Sequence, residues 1–335
     1  MENRRNIANS INHVLKSEKI GLLLALGVLV VIFSFLTDNN FFTANNIRNI
    51  MIASSIVGLV AIGEGFLLIS GQVDLSPGSV AAFSGVLATL LLSIGISMWL
   101  AIPIVIVCGM LIGLLNSLMV TKLHFEPFIA TLASMSIFRG LAYIICDGKS
   151  IFVTDKAFLK LGVGRMLNIP IPVIICLVLF LIFGVVLNRT KFGRSVYIIG
   201  GNANAARLAG IQADIVRAKL YMMTSAFSAL GGIILAARMS SGQPSASIGL
   251  EFDAVTACVL GGMAMSGGVG TMGGAFIGLL IMQGFNNGLM MLNVQSFWQT
   301  VARGVLLIAA LTFDFIRIQQ RNAALQKKSN NDEEK

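Results

Sequence analysis

Charged residues are scarce in this sequence of 335 residues. Only 12% of the side chains are charged, 56% of the residues are hydrophobic, and the mean hydropathy is +0.86. A soluble globular chain carries about one-quarter charged residues, so the shortage excludes an ordinary soluble domain. The net charge of +9 does not form a basic patch on a soluble module, and no nucleic-acid partner is expected.

Side chains that carry catalytic or metal chemistry are equally few. The two histidines, His13 and His124, lie in polar stretches with no serine or cysteine in a nucleophile-type motif nearby. Hydrolytic chemistry is therefore not expected, and the chain is not predicted to be an enzyme. The cysteines lack metal-type spacing and predict neither a metal site nor a disulfide framework; they are Cys108, Cys146, Cys176 and Cys258.

Complete nucleotide-binding motifs are also lacking. The tripeptide GKS at 148–150 resembles the end of a P-loop, but Tyr143 stands where the loop needs its first glycine. The stretch 268–273 has the glycine spacing of a dinucleotide fingerprint, yet apolar runs flank it instead of a βαβ unit. We expect no bound cofactor.

Long apolar runs dominate what is present. Each is close to the roughly 17–25 residues that a helix needs to cross a bilayer, except the eighth, which is shorter. The runs lie near 20–36, 49–70, 78–96, 97–120, 127–145, 170–187, 215–236, 252–264, 271–291 and 298–316. The sequence therefore predicts an all-α, polytopic membrane protein with about ten transmembrane helices.

Basic residues sort by membrane side if both termini are cytoplasmic. The predicted outer stretches contain Arg48, Lys149, Lys156, Lys160, Arg165 and Arg238. The predicted inner stretches contain more: Arg4, Arg5, Lys16, Lys19, Lys122, Arg189, Lys191, Arg194, Arg207, Arg217, Lys219, Arg317, Arg321, Lys327 and Lys328. This asymmetry predicts a cytoplasmic tail at 1–19, a membrane domain at 20–318 and a second cytoplasmic tail at 319–335.

Two polar interruptions divide the apolar sequence. In the first, Gly71 suits a left-handed helix end, Ser76 an N-cap and Pro77 the first helical position. A second interruption repeats the pattern G-x-x-x-x-S-x-G. The predicted helix breaks comprise Gly71, Pro77, Gly78, Gly261, Gly262, Ser266 and Gly268. Breaks at matching positions of two halves, near 49–145 and 215–316, are typical of a transport pathway at a repeat interface.

Amides and hydroxyls in or beside the apolar runs are candidate contacts for a neutral, hydroxyl-rich substrate. The predicted pathway residues are Gln72, Asp74, Ser76, Asn116, Gln283, Asn286, Asn287 and Gln299. Structural alternatives stay open for some of them. Asp74 could simply cap the third span, and Asn286 with Asn287 could form a polar clamp between packed helices.

Two further ionisable residues, Glu64 and Arg139, lie within apolar runs. Charges at membrane depth are functional candidates by default because an unpaired charge is costly there. Our hypothesis is that Glu64 and Arg139 pair across the bundle.

The longest predicted inner connection spans 188–214. Its GGN at 200–202 predicts a turn, and the following ANAARLA predicts a short helix that ends at Gly210. One interpretation is a solvated loop with positive-inside arginines. The other is a helix that docks onto a cytoplasmic partner, since a membrane protein without a P-loop must take its energy from elsewhere.

Several separated segments resemble one known family. The first interruption, GQVDLSPG at 71–78, resembles its G-G-I-D-L-S-V-G segment. GRSVYIIGGNANAARLAGI closely resembles the signature of permease subunits of bacterial ABC importers for monosaccharides, of the ribose, xylose and allose type, which are distantly related to branched-chain amino-acid permeases. LGGMAMSGGVGTMGG and GFNNGLMMLNVQSFWQTVARG resemble its C-terminal signature. The resemblance runs from about 20 to 318, with departures at Gln72, Pro77 and Ala209.

That resemblance implies a division of labour in the bacterial inner membrane. A second permease subunit, the same chain or a paralogue, would complete the pathway within the lipid bilayer. A cytoplasmic ABC ATPase would drive import, and an extracytoplasmic sugar-binding protein would deliver the sugar at 146–169 and 238–253. By similarity, the coupling residues are Gly193, Arg194, Gly200, Gly201, Asn202, Ala206, Arg207 and Gly210.

Three rival functions remain open from the sequence. A branched-chain amino-acid permease would pass a zwitterion, whereas Asp74 has no adjacent cation. An ion-coupled carrier could use Glu64, Asp74 and Arg139 as a relay, but it would not need the inner GGNANAARLAGI segment. A membrane scaffold would leave the paired breaks unexplained.

Overall fold

The computed structural model describes residues 18–333, so nearly all of the predicted tail at 1–19 lies outside the described residues. Helices account for most of that range. They are α1 (Glu18–Leu36), α2 (Ala44–Ile69), α3 (Pro77–Ser93), α4 (Met98–Thr121), α5 (Pro127–Ile145), α6 (Lys156–Val163), α7 (Ile171–Arg189), α8 (Lys191–Gly201), α9 (Ala203–Leu208), α10 (Ala213–Met239), α11 (Leu250–Leu260), α12 (Met272–Met291) and α13 (Ser296–Glu333).

Six of these helices are long and apolar enough to cross a bilayer: α2, α4, α5, α7, α10 and the Ser296–Ile316 part of α13. Ile20–Leu36 and α3 are shorter apolar helices. The prediction of an all-α, polytopic membrane protein is confirmed, while the count of ten stays a prediction. The eighth apolar run contains only α11, which at 1.5 Å per residue is about 16 Å long and too short to span a bilayer alone.

Helices α2 and α10 form the buried centre of the bundle, and α10 packs against α2, α3 and α4. Small residues allow the backbones to approach closely, as helices in lipid require. A Cβ at Gly109 would lie 2.7 Å from Ala229 Cβ, and one at Gly63 would lie 2.5 Å from Thr224 Cα. Helix positions in this core are therefore fixed by glycine contacts.

Helices α5 and α13 lie at the periphery. Only 22% of the apolar window of α5 and 11% of that of α13 are buried. Large side chains such as Ile129, Ile137, Phe297 and Ile308 stay exposed on them. Lipid or a partner subunit must cover these surfaces.

Short strands tie together the end of the bundle where α10 finishes. Strand β1 (Ile151–Phe152) pairs antiparallel with β4 (Ser241–Gly242), while β2 (Arg165–Met166) and β3 (Ile169–Pro170) form a hairpin. Asp155 caps α6 by accepting hydrogen bonds from two backbone N–H groups. This end lies opposite α8 and α9, because the 27-residue α10 separates the two.

Helix α13 runs without interruption to Glu333. The predicted boundary between the membrane domain at 20–318 and the tail at 319–335 is therefore not marked by a helix end. That division stays a prediction.

Candidate functional site

The first helix break spans 70–76 and contains the left-handed residue expected at Gly71, with φ of +74°. Pro77 stands in the first turn of α3, directly after Ser76. The Ser76 hydroxyl makes no capping hydrogen bond. Instead it accepts from Asn116 Nδ2 at 2.9 Å, and Asp74 Oδ1 accepts the Ser76 N–H at 2.8 Å. The Asp74 carboxylate thus bonds the residue that precedes α3 and not an N–H of the helix itself.

Side chains from several helices satisfy the backbone of this break. The Asp74 N–H donates to Glu64 Oε1 at 3.1 Å, and the Leu75 N–H donates to Thr131 Oγ1 at 3.1 Å. The Tyr221 hydroxyl donates to the Val73 carbonyl at 3.4 Å. An irregular backbone at membrane depth persists only where such partners exist. The break is therefore a specifically bonded element of the protein interior.

Most of the predicted pathway residues at the first break are inaccessible in this structure. Asp74, Ser76 and Asn116 are completely buried. Gln72 is only half-buried, and its Oε1 accepts a hydrogen bond from Tyr221 at 3.4 Å. In this structure the hydrogen bonds at the first break join α2, α3, α4 and α10.

The hypothesis that Glu64 pairs with Arg139 is wrong for this structure. None of the ion pairs among the described residues joins them. Arg139 Nη1 donates to the carbonyls of Pro244, at 2.8 Å, and Ala246, at 2.6 Å. Thr131 is the α5 residue that reaches the first break, and Arg139 lies eight residues farther along α5, about 12 Å away.

The second break spans 261–271, and its register differs from the one that the sequence predicts. The first left-handed residue is Gly262, at φ +86°, rather than Gly261. Thr271, not Ser266, caps the next helix by accepting from the Gly274 N–H at 3.0 Å. Gly71 therefore corresponds in geometry to Gly262, and the second break is longer than the first.

The two breaks touch each other and helix α8. The Gly268 N–H donates to the Ile69 carbonyl at 2.8 Å. A Cβ on Gly200 would collide with that same carbonyl, and one on Gly267 would lie 3.0 Å from Gly71 Cα. We call Gly71, Gly200, Gly267 and Gly268 the glycine junction. The sequence contains no signal for it, because its members come from three separate segments.

A tyrosine of α8 reinforces the glycine junction. The Tyr197 hydroxyl donates to the Gly270 carbonyl at 2.7 Å. Burial raises the pKa of Tyr197 above its ordinary value. The phenol therefore keeps the proton that this hydrogen bond needs.

The sequence predicts a turn at 200–202, but Gly200 and Gly201 are the last residues of α8, and Asn202 caps α9. Asn202 Oδ1 accepts from the Ala205 N–H at 2.9 Å. Of the other predicted coupling residues, Gly193 and Ala206 are buried, Arg194 and Arg207 are exposed, and Gly210 ends the turn after α9 at φ +74°. Beside them, Leu208 is 91% exposed, a feature the sequence analysis missed.

The remaining predicted pathway residues lie elsewhere. Asn287 Oδ1 accepts from Asn46 Nδ2 at 2.8 Å, which fits the helix-packing alternative. Gln283 is buried, and Asn286 is only partly exposed. Gln299 Nε2 donates to the Val294 carbonyl at the start of α13. None of these four lines the large cavity described next.

A cavity of about 800 Å³ opens between α3, α5, α11 and α13. Its charged lining residues are Arg139, Glu251, Asp253 and Arg303. Arg303 Nη1 and Asp253 Oδ2 are 3.8 Å apart, whereas Glu251 Oε2 has no hydrogen-bond partner among the described residues. The sequence analysis singled out only Arg139. Glu251 and Asp253, two acids close together in the first turn of α11, were a signal in the sequence that could have indicated a site there.

Replacing Asn116 with alanine is expected to destabilise the protein by about 1–3 kcal/mol, because buried oxygens of Ser76 and Asp74 lose a donor. The thermal unfolding of the detergent-solubilised protein measures this. The matched control is Ser117→Ala, since the buried Ser117 hydroxyl has no partner among the described residues and should cost little. Equal unfolding temperatures for the two variants would contradict the proposed role of Asn116.

Comparison with known proteins identifies the family. Residues 46–311 match the model of the branched-chain amino acid transport system permease component. The chain is 40% identical over 299 residues to the L-arabinose transport system permease protein AraH of Escherichia coli K12, covering 89% of this chain and 90% of that protein. It is also 40% identical over 299 residues to the ribose import permease protein RbsC of Bacillus subtilis 168, covering 89% and 92%. No solved structure matches the chain.

These matches confirm the resemblance and the prediction of a transporter membrane subunit. Membership in a family of transport-system components implies partner subunits in general. The match covers both helix breaks, the α8–α9 segment and the cavity. The chain therefore belongs to the family of branched-chain amino acid transport system permease components, as a multi-pass membrane protein.

Proposed function

We propose that this chain is the permease subunit of an ATP-driven importer that moves a monosaccharide into the cytoplasm. Relatives 40% identical over about 90% of the chain are named for L-arabinose and ribose. The observation that carries the proposal is the cavity, whose two arginines and two carboxylates balance each other. A charge-balanced, polar lining suits a neutral substrate with many hydroxyl groups.

The pathway lies between two permease subunits in this proposal. Helices α5 and α13 flank the cavity, and they are the long spans with the least buried surface. A second subunit, either the same chain or a paralogue, covers their exposed apolar side chains and closes the cavity. Without a second subunit, only lipid would cover these exposed apolar side chains.

The α8–α9 segment is the contact with the ATPase. Its predicted coupling loop, 188–214, presents exposed Arg194, Arg207 and Leu208, while Ala206 anchors it to the bundle. Both termini are cytoplasmic, on the side of the basic inner loops. Because Gly200 touches both breaks, a push on α8 moves the start of α3 and of α12 together. In this proposal the two halves, 49–145 and 215–316, therefore move together when the ATPase pushes on α8.

The external binding protein docks at the opposite end of the bundle. There the predicted outer segments 146–169 and 238–253 are joined by the pairing of β1 with β4. Arg139 ties the second segment to α5 through its bonds to Pro244 and Ala246. The docking surface is thus continuous with the wall of the cavity.

Transport by the reconstituted complex tests this function. The permease, a double ATPase and a periplasmic sugar-binding protein are placed in vesicles, and uptake of labelled arabinose, ribose and leucine is measured. We expect uptake of a sugar that requires both ATP and the binding protein. Uptake of leucine alone would support the amino-acid alternative, and uptake without the ATPase would support the ion-coupled carrier.

Replacing Leu208 with aspartate is expected to weaken ATPase binding at least ten-fold. An exposed leucine at the tip of a docking helix is buried on association, and aspartate would bury a charge there. The measurement is the affinity of the ATPase for the permease in lipid nanodiscs. Asn204→Asp on the same helix is the control for added charge. Unchanged affinity for Leu208→Asp would show that α9 does not dock.

A further inference from the structure

We propose that the cavity between α3, α5, α11 and α13 contains a transit site for a single monosaccharide, held by Glu251 of α11 and Arg303 of α13. This inference rests on the proposed function and names the residues that carry it out. It assigns the sugar contacts to a different part of the bundle from the first break, whose polar side chains already bond to one another.

Glu251 supplies the acceptor. Its side chain is only 4% exposed, it lines the cavity, and Oε2 has no hydrogen-bond partner among the described residues. Oε2 itself lies against Gly78 and is covered. A buried carboxylate that is short of donors is costly, so a sugar hydroxyl that donates to the part of Glu251 that lines the cavity lowers that cost. Sugars offer such hydroxyl groups on neighbouring carbons, so one carboxylate can accept two hydrogen bonds from one sugar ring.

Gly78 explains how the carboxylate fits. A Cβ at this position would collide with Glu251 Oε2 and with the Ser247 carbonyl. The absence of a side chain lets the carboxylate lie against the first turn of α3, where the helix dipole favours a negative charge. Gly78, which the sequence assigned to the first break, lies in the first turn of α3 and shapes the cavity wall.

Arg303 supplies the donors. Its Nη1 is 3.8 Å from Asp253 Oδ2, and its buried Nε has no partner among the described residues. A guanidinium carries five N–H donors, so donors remain for a substrate while the ion pair persists. Arg139 has a different role, because its Nη1 already donates to two backbone carbonyls. Through these bonds Arg139 positions the loop before α11.

Charge balance favours a sugar over an amino acid at this site. The cavity lining has two positive and two negative side chains. A sugar hydroxyl both donates and accepts, so it bonds to Glu251 and Arg303 without separating Arg303 from Asp253. A zwitterion would have to compete with that ion pair. The exposed rings of Tyr143 and Phe252 add apolar surface for the carbon face of the sugar.

The first test compares Glu251→Gln with Glu126→Gln in the reconstituted transporter. Glu126 is exposed before α5 and lies outside the cavity. We expect Glu251→Gln to lower the initial rate of sugar uptake at least ten-fold while ATP hydrolysis stimulated by the binding protein persists. Glu126→Gln should transport normally. Wild-type uptake by Glu251→Gln would overturn the transit site and leave the proposed function standing; no sugar uptake by the wild type would overturn both.

A binding measurement keeps the proposal testable even if Glu251→Gln folds poorly. Cys108 and Cys146 are replaced with alanine, whereas Cys176 and Cys258 are buried and can stay. Ser136→Cys places a thiol in the cavity, and Thr154→Cys places one in the exposed connection before α6 as the control. We expect millimolar arabinose or ribose to slow maleimide labelling at position 136 at least three-fold and to leave position 154 unaffected. Protection by leucine only, or by neither sugar, would overturn the site.

Discussion

Replacing Gly200 with alanine is expected to lower sugar uptake at least ten-fold and to uncouple the remaining ATP hydrolysis from transport. A Cβ at this position would collide with the Ile69 carbonyl and lie 2.7 Å from the Gly268 nitrogen. Those two atoms form the hydrogen bond that joins the breaks. Backbone atoms cannot rotate away, so α8 must separate from the junction through which, in the proposed mechanism, it moves α3 and α12.

The neighbouring glycine supplies the control for this experiment. A Cβ on Gly201 would meet nothing within 4 Å, so Gly201→Ala should keep the wild-type unfolding temperature. Uptake and ATP hydrolysis of Gly200→Ala are measured in the same vesicles. If Gly200→Ala transports sugar at the wild-type rate with normal coupling, the glycine junction does not transmit motion.

Replacing Gly232 with alanine is expected to destabilise the protein by about 3 kcal/mol, near the upper end of the range for overpacking. A Cβ at this position in α10 would collide with the Ala81 carbonyl and lie 2.8 Å from Ala81 Cα. The obstacle is again backbone, so α3 must move away from the buried centre of the bundle. Thermal unfolding in detergent and the yield of folded protein report the loss.

The adjacent Gly231→Ala is the matched variant. Its Cβ would lie 3.6 Å from the Ile56 carbonyl, an ordinary contact. Alanine is also about 1 kcal/mol better than glycine inside a helix, so this variant should be as stable as the wild type or more stable. If the two variants unfold at the same temperature, close packing of α3 on α10 is not what Gly232 provides.

Local chemistry made part of the site predictable. Gly71 and Pro77 mark the end of α2 and the start of α3, because left-handed backbone favours glycine and the first helical turn tolerates proline. The same reasoning placed Gly210, with its left-handed backbone, in the turn that follows α9. These residues act through their own backbone conformation, so neighbours distant in the sequence were not needed.

The contacts between segments were not predictable in the same way. The predicted pairing of Glu64 with Arg139 was wrong because two side chains meet only if they lie at the same height along the bundle, and the sequence does not give that height. The cavity was missed because its walls come from four helices, with Arg139 and Arg303 far apart in the sequence. The register of the second break failed because several glycines there fit the pattern equally well.

The sequence by itself determined that this chain is a membrane protein with interrupted helices and a basic, helical connection at 188–214, since run length, turn residues and local charge are properties of single segments. Only the tertiary structure decided that Asp74 and Asn116 are buried, that Gly200 joins both breaks, and that Glu251 faces a cavity. The physical reason is that lipid is as apolar as the helix surfaces, so hydropathy cannot determine which faces meet. Close contacts at small residues and the pairing of buried polar groups determine that instead.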